Sequence, residues 1–223
     1  MPTLQAETKR DHMPQIFPYT NKPDDTELYF WLIGESAEEL ASLIPGGDSL
    51  FAEAHERFKA PKRQCEWLAV RALLQQTPHK GLEILYQNGG KPYFGNSDKH
   101  ISISHTGNIV AIAIADKETG IDIEIKGRNA LAVAAAYLQS QETEAVDGEA
   151  DRNAEALRLW TAKEAAFKLA PEKAAVLKEI LAQPITESTT AGRSYRITFK
   201  DGTTALCRVA EEADFILSIC IPE

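Results

Sequence analysis

The alternation of apolar and polar residues along the chain predicts a mixture of short strands and helices. Strands are indicated where β-branched and aromatic residues alternate or cluster, and helices where apolar residues recur every three or four positions. The predicted strands are 28–33, 82–86, 101–104, 109–115 and 120–125, followed by others near 194–200, 204–210 and 214–220. The predicted helices are 35–43, 48–58 and 62–76, followed by others near 130–147 and 153–170. This order predicts an α+β fold of small, mainly antiparallel sheets packed with helices.

The strand at 109–115 has two different faces. Val110, Ile112 and Ile114 share one face, and alanines occupy the alternate positions. Because small side chains let another layer approach closely, we expect this strand to be central. Gly107 and Asn108 form a suitable turn to the preceding strand.

The first and second halves of the chain have a similar order of strands and helices, although their residues are not repeated. This pattern predicts two comparable α+β lobes, at residues 26–116 and 117–223, related loosely as a duplication. Residues 1–25 are polar, contain proline and lack periodicity, so we expect a flexible N-terminal extension. Met13 is an alternative start to Met1.

Two short segments place charged residues where an apolar fold would disfavour them. On the strand at 120–125, Asp122 and Glu124 point to one face. On the last long helix, Glu164 is in register with the apolar Trp160 and Phe167. If the three carboxylates lie close together, a hard divalent ion such as Mg²⁺ is their natural partner. The alternatives are a solvated strand face and a surface helix with weak ion pairs.

Composition and charge limit the classes of function. The 223 residues carry a net charge of -9, which disfavours broad nucleic-acid binding. The sequence contains no apolar run long enough to span a bilayer. Its three cysteines are widely spaced, without a CxxC pair, and favour a reducing compartment. We therefore expect a soluble, cytoplasmic protein that binds neither nucleic acid nor membrane.

Four short motifs follow one another along the chain: GKP at 90–92, ISH at 103–105, GIDIE at 120–124 and WTAKEAAFK at 160–168. With the basic helix at 62–71, they resemble the 4′-phosphopantetheinyl transferase superfamily, in its longer surfactin-type branch, over roughly residues 28–220. The resemblance implies a monomeric pseudo-dimer of two lobes, with coenzyme A in the cleft between them.

This resemblance also implies a reaction and its residues. The phosphopantetheine arm of coenzyme A is transferred to a serine of an apo acyl or peptidyl carrier protein, which releases adenosine 3′,5′-bisphosphate. Mg²⁺, or alternatively Mn²⁺, would be held by Asp122, Glu124 and Glu164. Catalytic roles are expected for Glu164, Lys168 and His105, with either Glu164 or a metal-bound water as the base. Coenzyme A is expected to contact Lys62, Arg63, Arg71, Lys91, Pro92, Ser104, His105 and Lys168.

The stretch after Glu124 is implied to dock the carrier. Its basic residues, Lys126 and Arg128, suit an acidic carrier, and its apolar residues are Leu131, Val133 and Tyr137. Alternatively, these apolar residues pack against their own lobe. In the upstream helix, Lys62, Arg63 and Arg71 are candidates to bind the 3′-phosphate, and the sequence does not distinguish among them. Alternatively, these three residues form a solvated basic face.

Two rival functions have different requirements. A small metal-dependent phosphohydrolase would use the same three carboxylates, but it gives no reason for the GKP motif and the basic helix. A non-catalytic module that binds coenzyme A or a carrier would not require Glu164 and Lys168, and both residues are present. The motifs therefore favour the transferase.

Overall fold

The computed structural model describes residues 25–185 and 193–223. The strands are β1 (Thr26–Leu32), β2 (Ile84–Tyr86), β3 (Pro92–Phe94), β4 (His100–Thr106), β5 (Ile109–Ala115), β6 (Gly120–Ile125), β7 (Leu181–Ile185), β8 (Arg193–Thr198), β9 (Thr204–Glu211) and β10 (Phe215–Pro222). The helices are α1 (Ala37–Ser42), α2 (Gly47–Arg57), α3 (Pro61–Gln75), α4 (Ala134–Tyr137), α5 (Ser140–Asp147) and α6 (Arg152–Leu169). The predicted extension, up to residue 24, and Met13 within it lie outside the described residues.

The strands form three antiparallel sheets. The first has the order β1-β5-β4, the second β6-β10-β9-β8-β7, and a small third sheet joins β2 to β3. The predicted α+β fold with antiparallel sheets is thus confirmed, and β5 is the central strand of its sheet. The sequence analysis did not predict β3 or β7. Each contains a proline, which cannot donate a backbone hydrogen bond, and β7 is accordingly an edge strand.

Three apolar clusters stack the sheets and helices into four layers. The first cluster joins α1–α3 to the three-stranded sheet, and the third joins the five-stranded sheet to α6. The middle cluster lies between the two sheets and includes Ala111 and Ala113 from β5 and Ile121 and Ile123 from β6. The alanine face of β5 therefore packs closely, as its sequence predicts. The pseudo-dimer and the lobe boundaries stay predictions.

The two longest described helices are α3 and α6. Helix α3 begins at Pro61, a residue favoured at the first helical position, and buries the predicted stripe of Trp67, Val70, Leu73 and Leu74. The predicted helical region near 130–147 is interrupted: a 3₁₀ turn at Leu131–Val133 precedes α4, and α5 starts anew after Gln139. None of the described helices combines the length and apolar character that crossing a membrane requires.

Side-chain hydroxyls connect the two large sheets along the edge strands β4 and β6. The hydroxyl of Ser102 accepts a hydrogen bond from the amide of Ile121 at 2.9 Å. Two residues further along, the hydroxyl of Ser104 accepts from the amide of Ile123 at 3.2 Å. These bonds satisfy buried amides that would otherwise be costly to leave unpaired. We call this junction of β4 and β6 the hydroxyl seam.

Gly120 lets β6 lie directly against α6. A Cβ atom at this position would stand 2.0 Å from the carbonyl oxygen of Ala165 and 2.6 Å from the amide nitrogen of Leu169. Both atoms belong to the helix backbone, so no side chain can move aside to make room. The glycine of the GIDIE motif thus sets the distance between the acidic strand and the helix that carries Glu164 and Lys168.

Candidate active site

A cavity of about 330 Å³ lies where α3 and β4 face α6. Its volume falls in the range of small-molecule sites. Charged residues line it from α3, from the segment that contains the GKP motif, from β4 and from α6. The predicted site residues on its wall are Arg63, Lys91, Pro92, His105, Glu164 and Lys168. The fold therefore brings together side chains from three of the four motifs and from the basic helix.

The two carboxylates of β6 are buried behind this cavity. Asp122 is 5% and Glu124 7% exposed. Oδ1 of Asp122 accepts hydrogen bonds from Ser104 Oγ at 2.8 Å and from Lys168 Nζ at 2.7 Å. Its Oδ2 is buried without a hydrogen-bond partner in the described part of the chain. A buried acceptor without a partner is costly, which favours a cationic ligand there.

Several donors hold Glu124. Thr106 Oγ1 donates to its Oε2 at 2.9 Å, and the indole nitrogen of Trp160 donates to its Oε1 at 3.2 Å. Arg128 pairs with the same Oε1, and its guanidinium lies 4.7 Å from the centre of the Trp160 ring. Burial and the neighbouring Asp122 raise the pKa of Glu124.

Of the three predicted metal ligands, Glu164 is the one that lines the cavity. Burial raises its pKa, and the negative charges of Asp122 and Glu124 raise it further. These effects mean that Asp122 and Glu124 lie close enough to Glu164 to oppose its ionisation.

The donor set suits Mg²⁺, since it offers carboxylate oxygens, one of them buried without a partner among the described residues. Within the described ranges, however, no three Asp, Glu, His or Cys side chains are already grouped to hold a metal ion. Lys168 pairs with Asp122 and Arg128 with Glu124, so these cations neutralise the strand carboxylates in this structure. Ligation by all three carboxylates would require these pairs to rearrange.

Cations also line the cavity. Arg63 Nη1 donates to Glu66 Oε2 at 2.7 Å and also contacts Nε2 of His105. Burial and the positive charges of Arg63 and Lys168 lower the pKa of His105, against the opposing effect of Glu66. Lys91 Nζ donates to the carbonyl of Leu169 at 2.6 Å, which ties the GKP segment to the end of α6.

Three of the residues predicted to contact coenzyme A do not line this cavity. Lys62 does not line the cavity, and its side chain is 66% exposed. Arg71 lines a second cavity of about 490 Å³, where its guanidinium lies 3.3 Å from the centre of the Trp67 ring. Ser104 is buried in the hydroxyl seam, behind the wall, where it contacts Asp122 and Lys168. His105 belongs to β4, which extends beyond the predicted strand at 101–104.

Known proteins resemble part of this chain. A family model described as the 4′-phosphopantetheinyl transferase superfamily matches residues 118–220. The 4′-phosphopantetheinyl transferase AcpT of Escherichia coli K12 is 37% identical over 149 residues, which cover 63% of this chain and 72% of AcpT. AcpT of Salmonella typhimurium is 32% identical over 149 residues, which cover 63% of this chain and 73% of that protein.

The chain belongs to the 4′-phosphopantetheinyl transferase superfamily. It is therefore a transferase, and the superfamily predicted from the four motifs is confirmed. The family match includes the acidic strand and α6, and with them Asp122, Glu124, Glu164 and Lys168. The surfactin-type branch stays a prediction.

The sequence analysis missed several functional or supporting residues of this phosphopantetheinyl transferase. Glu66 is a buried carboxylate on the cavity wall, and Thr106 holds Glu124. Lys163 is fully buried and pairs with Glu142 at 2.5 Å. For Glu66 a signal was present: basic residues precede it by three and four positions, the spacing of helical ion pairs.

The apolar residues that were expected to dock a carrier differ in their exposure to solvent. Val133 is exposed, but Tyr137 is buried and packs edge-on against Trp160, with 5.0 Å between ring centres. For Tyr137 the alternative prediction, packing on its own part of the chain, is therefore the correct one.

Proposed function

We propose that this transferase moves 4′-phosphopantetheine from coenzyme A to a serine of an apo acyl or peptidyl carrier protein, in a reaction that depends on Mg²⁺ or Mn²⁺. The main support is that one cavity brings acidic and basic side chains together. Glu164 lines it with the buried Asp122 and Glu124 close by, and Arg63 and Lys91 line the same cavity. Such an arrangement suits a ligand that carries both phosphates and a metal ion.

The cations would bind the phosphates of coenzyme A. Arg63 and Lys91 offer charge-assisted hydrogen bonds, and Lys91 is already anchored by the carbonyl of Leu169. Lys168 lies beside Asp122 and would neutralise the phosphate that is transferred. Asp122, Glu124 and Glu164 would hold the divalent ion, which would supply charge neutralisation at the phosphate oxygens.

Glu164 is the best candidate to accept the proton of the carrier serine. Glu164 lines the cavity, so the hydroxyl of a carrier serine that enters it would meet this carboxylate. Because a carboxylate that uses both oxygens for a metal is a poor base, this role requires ligation through one oxygen. A metal-bound water is the alternative base.

Intact-mass spectrometry of an apo acyl carrier protein tests the reaction. After incubation with the transferase, coenzyme A and Mg²⁺, we expect a gain of about 340 Da, the mass of the phosphopantetheine arm, and none with EDTA. Glu164→Gln should abolish the gain. Cleavage of coenzyme A without any gain on the carrier would instead indicate a phosphohydrolase, and the absence of coenzyme A binding would refute the proposal.

We further propose a monomeric pseudo-dimer of the lobes 26–116 and 117–223, of the surfactin-type branch, that acts in the cytoplasm. The four-layer packing of two sheets between helices supports this arrangement. Acidic carriers would dock near Lys126, Arg128 and the exposed Val133. Light scattering that gives the mass of one chain would agree with the monomer.

A further inference from the structure

Glu66 is an acidic residue that lies among the basic side chains lining the cavity. It lies on α3, lines the cavity and is only 5% exposed. By simple repulsion, a carboxylate at this place would weaken the binding of phosphates. Its burial therefore calls for a reason other than direct contact with an anionic ligand.

Each oxygen of Glu66 faces basic groups. Oε2 accepts the hydrogen bond from Arg63 Nη1 at 2.7 Å. Oε1 lies 3.6 Å from Nδ1 of His105 and 3.8 Å from Nζ of Lys62. Lys62 is largely exposed, whereas Arg63 and His105 line the cavity. One buried carboxylate thus connects two basic side chains that line the cavity, one from α3 and one from β4.

These contacts also define the orientation of the imidazole. The guanidinium of Arg63 only donates hydrogen bonds, so Nε2 of His105 accepts where the two groups meet. The proton of the neutral imidazole then lies on Nδ1, on the side of Glu66. Without Glu66, neither the rotamer of Arg63 nor the ring of His105 would have this anion to hold it at the cavity wall.

We infer that Glu66 is a positioning residue, which holds Arg63 and the adjacent ring of His105 in place, so that Arg63 can bind a phosphate group of coenzyme A. The inference rests on the proposed use of coenzyme A as the substrate. Glu66 itself makes no contact with the ligand. The negative charge of Glu66 repels the phosphates, but it orders Arg63 before the ligand arrives. This matters because long basic side chains lose considerable conformational freedom when they bind.

Glu66→Gln separates positioning from plain repulsion, because the two effects have opposite signs. If Glu66 acts only through its field, loss of its charge should tighten the binding of a polyanion. If it positions Arg63 and His105, coenzyme A should bind at least about tenfold more weakly, the usual result of losing an ordered charged contact. We would measure Kd by titration calorimetry, and KM and kcat by carrier modification.

Two further variants exclude a merely structural effect. Glu66→Asp keeps the charge and should restore part of the affinity. In an Arg63→Gln background, Glu66→Gln should cost less than it does in the wild type, because the partner is already lost. As the matched control, Asp147→Asn removes one negative charge from an exposed pair with Arg152 that does not line the cavity, and its Kd should not change.

The outcomes are distinct from a failure of the proposed function. If the wild type neither binds coenzyme A nor modifies a carrier, the proposed function is wrong. If the wild type does both and Glu66→Gln binds coenzyme A equally well or more tightly, the positioning role is wrong. Dephospho-coenzyme A, which lacks the 3′-phosphate, identifies the phosphate that Arg63 binds. If Glu66→Gln does not weaken the binding of this ligand, Arg63 binds the 3′-phosphate. If it weakens the binding as much as it does for coenzyme A, Arg63 binds the pyrophosphate.

Discussion

Replacement of Gly120 by alanine should disturb both the fold and the site. The added Cβ would stand 2.0 Å from Ala165 O and 2.6 Å from Leu169 N, whereas non-bonded carbon and oxygen atoms stay about 3.3 Å apart or more. Because both neighbours are backbone atoms, β6 and α6 must separate by roughly an ångström. Overpacking costs about 1–3 kcal/mol, and we expect the upper end here, about 3 kcal/mol.

For a chain of this size, each kcal/mol lowers the melting temperature by about 2–4 °C, so Gly120→Ala should melt about 6–12 °C below the wild type. Thermal unfolding followed by far-ultraviolet circular dichroism measures the difference. Gly127→Ala is the matched control, since a Cβ added there would meet no described atom within 4 Å, and it should stay within about 0.5 kcal/mol. If both variants melt with the wild type, β6 does not depend on close contact with α6.

Three further perturbations test the buried charges. Lys163→Ala should lower the free energy of unfolding in urea by about 3–5 kcal/mol, because it leaves the buried Glu142 without its cation. Lys173→Ala is the control: its ion pair with the half-exposed Asp201 is 3.7 Å long, and its loss should cost less than about 1 kcal/mol. Thr106→Val should cost about 1–3 kcal/mol and raise the Mg²⁺ concentration needed for half-maximal activity, because Glu124 loses a buried donor. Burial and Asp122 raise the pKa of Glu164 in the folded chain, so its ionisation opposes folding as pH rises through that pKa. In EDTA, Glu164→Gln should therefore melt above the wild type at about pH 8, and this advantage should vanish towards about pH 4; an advantage that grows on acidification would contradict the assigned direction.

The parts of the fold that the sequence predicted depend on local periodicity. The two faces of β5 and the strand Gly120–Ile125 follow from alternation alone, and the structure confirms both. The stripe of α3 follows from helical spacing in the same way. Strands β3 and β7 were missed because they are short and contain proline, and their pairing depends on neighbours that the local pattern does not reveal.

The missed site residues depend on contacts between distant segments. Glu66 becomes significant only when β4 brings His105 against α3. Lys163 lies next to Glu164 in the sequence, but α6 turns it inward to meet Glu142 of α5. Arg71 has the charge expected of a phosphate ligand, yet the helix directs it to the other side of Trp67. Spacing along one helix does not determine which of its faces a different element will cover.

The hydroxyl seam explains why the acidic residues lie at the junction of the two sheets. In a continuous sheet, backbone carbonyls of β4 would accept hydrogen bonds from the amides of β6, and no side chain would be needed to pair with those amides. Here Ser104 Oγ accepts from the amide of Ile123 and also donates to Asp122 at 2.8 Å, so one hydroxyl serves both the fold and the site. Lys168 donates to the same hydroxyl at 2.9 Å. The position of Asp122 is thus coupled to the way the sheets join, and a change at Ser104 cannot alter the carboxylate without also weakening the junction.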